Sequence, residues 1–161
     1  MAKKQDQVEL LLIHFEQAFR KKSWHGPNLR GSIRGLTPAQ AAWRPATNRH
    51  SICEQVLHTA YWKYTIRRRI LGEKRGSFAL AGSNWIAQPD PLDAAAWKRC
   101  VKILEGEHER LRDAIRSIDD RDLAAKKFGV MSARDLIMGI TSHDLYHVGQ
   151  INMIKRLHAD G

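Results

Sequence analysis

Four stretches of the chain repeat apolar residues with the spacing of helices. From about Gln5 to Lys22, Val8, Leu11, Leu12, Phe15 and Phe19 recur at steps of three and four and draw one apolar stripe. The turn-forming run His25-Gly26-Pro27-Asn28 ends that helix. In the polar connector that follows, Thr37 suits an N-cap and Pro38 the first position of a short helical turn. A second helix is predicted from Ser51 through Ile52, Val56, Ala60 and Ile66 to about Leu71. Ser51 and Glu54 match the S-x-x-E capping box, and Gly72 can terminate the helix.

Residues 72–92 contain Gly76, Gly82, Pro89 and Pro91 beyond Gly72, which predicts a loop long enough to cover a site. Asp93 then caps a third helix reaching about Ser117. Its seam is a heptad of Trp97, Val101, Leu104, His108, Leu111, Ile115 and Ile118. A short acidic turn (Asp119, Asp120, Asp122) leads to Phe128-Gly129, and Ser132 and Asp135 open a fourth helix continuing to about His158. No internal repeat, low-complexity tract or β-alternation stands out. The expectation is an all-α fold, a four-helix bundle forming a single domain over residues 1–161.

The fourth helix carries the chemistry. At roughly 100° per residue, Leu136, Ile140, His143, His147, Ile151 and Ile154 share one face, which puts two histidines in the middle of an apolar stripe. Burying a neutral imidazole without partners costs on the order of 1–3 kcal/mol, and two side by side repel if both protonate. A divalent metal removes both problems, because an i, i+4 pair can reach one ion. The bland alternative is a pair of satisfied core histidines, and H-x-x-x-H by itself does not decide between the two. The segment S-H-D-L-Y-H lacks the glutamate of H-E-x-x-H zinc proteases, so that mechanism is not supported.

For a third ligand the residues offer His58, in the middle of the second helix beside Glu54, Tyr61, Trp62 and Thr65, and His108, on the seam of the third. His58 is the natural choice, although its side of the helix is equally readable as a boundary position. His108 suits a structural or supporting role. His14, His25, His50 and His158 lie near helix ends or off the apolar face. Gln150 and Glu54, each one turn from a candidate ligand, could orient a ligand or a water, and each is also an ordinary surface or capping residue. Three neutral histidines with open coordination positions would make a catalytic-type site that lowers the pKa of a bound water or holds a thiolate. Cys53 sits in the first turn of a helix, which could lower its pKa, but it has no basic neighbour in sequence.

Composition adds less. A chain of 161 residues can bury a core without disulfides or a structural metal, and 43% hydrophobic and 27% charged residues are ordinary for a globular protein. Two cysteines, Cys53 and Cys100, with no C-x-x-C pattern fit a thiol-reducing cytosol, hence a cytoplasmic location. Glu9 and His14 interrupt the apolar run VELLLIHF, so neither a signal peptide nor a membrane span is expected. The net charge of +10 admits nucleic acid, an anionic surface or an acidic small molecule as partner. Arg20-Lys21-Lys22, Arg67-Arg68-Arg69, Lys74-Arg75 and Lys126-Lys127 carry the alternative reading, a basic nucleic-acid-binding helical module without catalysis.

Three motifs taken in order, W-R-P at Trp43-Arg44-Pro45, S-I-C-E-Q-V-L-H ending at His58, and S-H-D-L-Y-H-V-G-Q-I from Ser142 to Ile151, resemble the DinB/YfiT-like metalloenzyme superfamily. The resemblance runs from about the first helix to the C-terminus. It implies a DinB-like four-helix bundle with an up-down-down-up path. It also implies a divalent metal, nickel or zinc, held by one histidine of the second helix and two of the fourth, here His58, His143 and His147. A homodimer and a low-molecular-weight thiol as co-substrate of a transferase or isomerase are further implications. The substrate expected is a small molecule, anionic if the basic charge bears on it.

Overall fold

The structure is a computed structural model that describes residues 6–76 and 78–160. The expected start of the first helix at Gln5 and the outermost ends of the expected domain lie outside the described residues. The elements, in order, are α1 (Asp6–Phe19), α2 (Leu29–Ile33), α3 (Pro38–Ala42), α4 (Ile52–Leu71), α5 (Ala94–Arg116), a 3-10 turn (Asp120–Asp122), β1 (Lys126–Phe128), β2 (Met131–Ser132) and α6 (Ala133–Asp160).

Helix boundaries follow the capping chemistry. Thr37 accepts from the Gln40 amide while the Gln40 side chain accepts from the Thr37 amide, with Pro38 in the first turn of α3. Ser51 and Glu54 make the same reciprocal pair at α4. Asp93 accepts from the Ala96 amide at α5, and Ser132 and Asp135 exchange bonds of 2.9 and 3.1 Å at α6. Gly72 ends α4 in the left-handed region at φ 68°, where a residue without Cβ carries no steric penalty.

α1, α4, α5 and α6 form the bundle, and side-chain partners give their directions. Glu16 of α1 and Arg20 just after it meet His108 and Glu109 of α5, while the Val8 amide donates to Asp120 beyond the end of α5, so α1 and α5 are antiparallel. Cys53 meets Cys100, and Arg67 approaches Glu107 at 3.9 Å, so α4 and α5 run parallel. Gln55 meets His147 and Lys63 meets Asp144, so α4 and α6 are antiparallel. The path is up-down-down-up, with the long loop after α4 allowing two successive helices to point the same way.

Two features depart from the expected pattern. A five-residue helix, α2, forms where Asn28 accepts from the Gly31 amide, within the connector read as polar loop. An antiparallel ribbon pairs Lys126 with Ser132 and Phe128 with Met131 across Gly129, whose φ of 58° makes the turn. Its strands of three and two residues are too short to show an alternation in sequence.

The apolar core is split. One cluster gathers Phe19, Val56, Leu57, Leu104, Val148 and Ile151. The other gathers Phe15, Ile66, Leu111, Ile115, Ile137 and Ile140. Between them, on every bundle helix, lies a polar residue: Glu16, Lys63, His108 and Asp144. Lys63 and Asp144 are fully buried and hydrogen-bonded to each other. Burial drives the Lys63 ammonium pKa down and the Asp144 carboxyl up, each shift partly offset by the other's charge. Lys63 also lies 4.7 Å from the Phe15 ring centroid, adding a cation–π contact. His108 stacks on Phe15 and Phe19 and bonds Glu16 at 2.9 Å, which fits the supporting role expected of it. Cys53 and Cys100, distant in sequence, meet as buried free thiols. Hydrogen bonding with Cys100 and burial push the Cys53 thiol up, overriding the lowering expected from its place at the start of α4.

Replacing Lys63 by Met leaves a buried Asp144 carboxyl without its partner. A loss of about 3–5 kcal/mol in denaturant unfolding is expected, most of it recovered in the double variant Lys63→Met/Asp144→Leu. Additive losses in the double variant would show that the two groups do not act as a pair.

Candidate metal centre

α4 and α6 cross so that His58, His143 and His147 face one another at the level of the polar layer. The His143 Nε2 lies 3.1 Å from the Nε2 of His58 and 3.1 Å from that of His147. The three candidate ligand atoms all fall within 4.8 Å of one another. The sequence placed the histidine pair in the middle of the apolar stripe. In the fold the most buried line of α6 runs through Ile137, Asp144 and Ile151, and His143 is half-buried at its edge while His147 is buried.

The outer ring nitrogens decide what the inner ones can offer. The His58 Nδ1 is 3.0 Å from the Asn84 carbonyl, which can only accept, so that nitrogen carries the hydrogen and Nε2 presents a lone pair. The His147 Nδ1 faces the Gln55 Oε1, which imposes the same tautomer. The His143 Nδ1 is buried with no partner. One hydrogen on the His143 Nε2 can satisfy only one of the two lone pairs it faces, and without it three lone pairs point at each other.

Protonation does not resolve the conflict. Burial, then the neighbouring His58 and Lys63, lower His143 to about 4. Burial, then His143 and His58, lower His147 to about 3, partly offset by a hydrogen bond to Gln150. Burial lowers His58 as well. Three neutral rings with converging Nε2 atoms are a donor set for a metal ion. Two of the three spacings, 3.1 Å each from His143, are close to the edge of about 3.3 Å spanned by nitrogens at ~2.0–2.1 Å from a tetrahedral ion, and the third pair, His58 and His147, lies within 4.8 Å. The cluster is therefore able to coordinate a metal.

The loop after α4 covers the site. Trp85 stacks on His58 at 3.9 Å between centroids, and His50 stacks on the other face of Trp85 at 3.6 Å. Asn84, at φ 59°, turns its carbonyl to His58 and its side-chain oxygen to the Trp62 indole N–H, 2.9 Å away. Glu54 is held by Arg44 at 2.7 Å, by the Ser51 amide and by the His50 Nδ1 at 3.4 Å, and not by any of the three clustered histidines. His14, His25 and His158 are not in the cluster. His50, given little weight in the sequence, stands in the wall of the site.

Two cavities lie near the rings. One, of about 380 Å³, is lined by Arg49, His50, Gln55, Trp85, Gln150 and Met153 among others. The other, of about 220 Å³, has His143 itself in its wall together with Trp62 and Arg69. Sequence reasoning missed Gln55, Asn84 and Trp85. Gln55 had a signal, since it lies three residues before His58 and so shares its side of α4.

In metal-free protein, long-range ¹H–¹⁵N NMR should find His58 and His147 in the Nδ1–H tautomer near neutral pH. Nε2–H at both residues would contradict the donor set described.

The model of the DinB superfamily matches residues 23–151, from just after α1 to within α6, and that segment contains all three histidines. Comparison with curated proteins and with solved structures returned no match. The family match spans most of the chain, and the bundle path and histidine cluster are those its motifs implied: the chain belongs to the DinB superfamily.

Proposed function

We propose that the protein is a metal-dependent enzyme acting on a small molecule, with one divalent ion held by the Nε2 atoms of His58, His143 and His147. The observation that carries this reading is the convergence of three neutral imidazoles, two with their outer nitrogens committed to acceptors. Imidazole donors suit nickel or zinc. When bound, such an ion supplies Lewis acidity and lowers the pKa of a water or thiol at its open positions.

The chain's own residues prepare that site. Gln55 and the Asn84 carbonyl fix the tautomers and ring planes of His147 and His58. Trp85 shields the His58 ring from water, and the cavity that His143 lines gives a small substrate access to the cluster. A transferase using a low-molecular-weight thiol, or a hydrolase-like activity, both fit an open site of this donor set. The exposed apolar line of Tyr146, Met153 and Leu157 on α6 supports a homodimer. The metal reading is preferred to nucleic-acid binding because Arg20 and Arg67, the first residues of two basic clusters, are engaged in surface ion pairs with Glu16, Glu109 and Glu73.

Elemental analysis of tag-free protein should find about one divalent ion per chain, lost in His143→Ala and in His147→Ala. Gln55→Leu should keep the fold and weaken metal affinity by about 10–100-fold. A metal-free wild type, or equal metal in wild type and both histidine variants, would refute the proposal.

A further inference from the structure

The smaller cavity is walled by Trp62, Ile66, Met131, Leu136 and Ile140, and it ends on the His143 ring. Arg69 is part of its wall. The guanidinium lies 3.5 Å from the Phe128 ring centroid and 5.7 Å from that of Trp62, so ring faces on α4 and on the ribbon hold it in place. It forms no ion pair among the described residues, and burial lowers its pKa, an effect partly offset by the nearby Tyr61 phenol and added to by the Arg68 charge. Neighbouring arginines differ. Arg67 is paired with Glu73, and Arg68 donates to the Lys74 carbonyl.

An arginine held over aromatic faces without an ion-pair partner, in the wall of a largely apolar cavity, is a carboxylate-recognising arrangement. The one acidic group in the wall, Asp135, accepts from the Ser132 amide and hydroxyl and does not pair with Arg69. Its charge disfavours a second anionic group on the ligand. The volume, about 220 Å³, is below that of pockets for drug-sized ligands and suits a small molecule.

The geometry points to this cavity as the binding site of a small monocarboxylate with a flat or short apolar body. The carboxylate pairs with Arg69, the body packs against Trp62, Ile66 and Ile140, and the far end reaches the histidine cluster. The last contact rests on the metal reading above; the carboxylate and apolar contacts do not. Arg69 is a binding residue for the substrate, and the ribbon that supplies Phe128 and Met131 acts as its support.

Benzoate, benzyl alcohol and phthalate are suitable probes, titrated into full-chain protein, metal-loaded and metal-free, with chemical shifts read at the cavity residues. Benzoate should bind and shift Leu136 and Ile140, with benzyl alcohol and phthalate at least tenfold weaker. Arg69→Gln should erase the preference for benzoate over benzyl alcohol without changing metal content, and Arg69→Lys should restore part of it. Equal affinities for the three probes, no binding of benzoate at millimolar concentration, shifts confined to the Met153 side, or an unchanged preference in Arg69→Gln would each overturn the inference. A preference that persists in protein unable to take up metal would leave this site standing while the metal reading fails; metal uptake without the preference would do the reverse.

Discussion

The buried pair of Lys63 and Asp144 sets the register on which the rest of the site depends. Both groups are inside a core that is apolar above and below them. Each is tolerable there only opposite the other, because an unpaired buried charge costs several kcal/mol. Sliding α4 against α6 by a turn would separate them. Their alignment therefore fixes the level at which His58, five residues before Lys63, meets His143 and His147, which bracket Asp144. A bundle packed by leucine and isoleucine alone would tolerate several registers; this polar layer selects one.

Given that register, the imidazoles are forced into a conflict. Acceptors behind His58 and His147 turn two lone pairs inward, and burial prevents protonation from relieving the clash. The arrangement is unfavourable as a core and favourable as a ligand set. The covering loop repeats the logic: Asn84 and Trp85 make contacts that orient and shield His58. Fold stability and site geometry thus use the same residues on α4, where Gln55, His58 and Lys63 follow one another.

The elements of the bundle were readable because their signals are local. Ser51, Thr37, Asp93 and Ser132 cap where their side chains predict, and Gly72 ends α4 as its backbone freedom predicts. The histidine pair was readable from spacing, and His58 joined it through the motif order. What the sequence hid depends on tertiary contact. Asn84 and Trp85 belong to a loop with no periodicity to place them. The ribbon is five residues in two strands, below the length at which a pattern forms. His50 is brought to the cavity wall by stacking on Trp85, a residue 35 positions away by number. The polar layer was half visible: Asp144 falls midway between Ile137 and Ile151 at heptad spacing, and Lys63 follows Val56 and Ala60 on one face. One charge of each sign at seam positions of two helices is a signature of a buried pair.

The central claim is that these contacts shape three neutral imidazoles into one metal site. Anomalous diffraction from crystals of the metal-loaded protein tests it most directly. The account predicts a single anomalous peak about 2.0–2.2 Å from the Nε2 atoms of His58, His143 and His147 together. A peak bound elsewhere, or one that leaves any of the three rings uncoordinated, would contradict it.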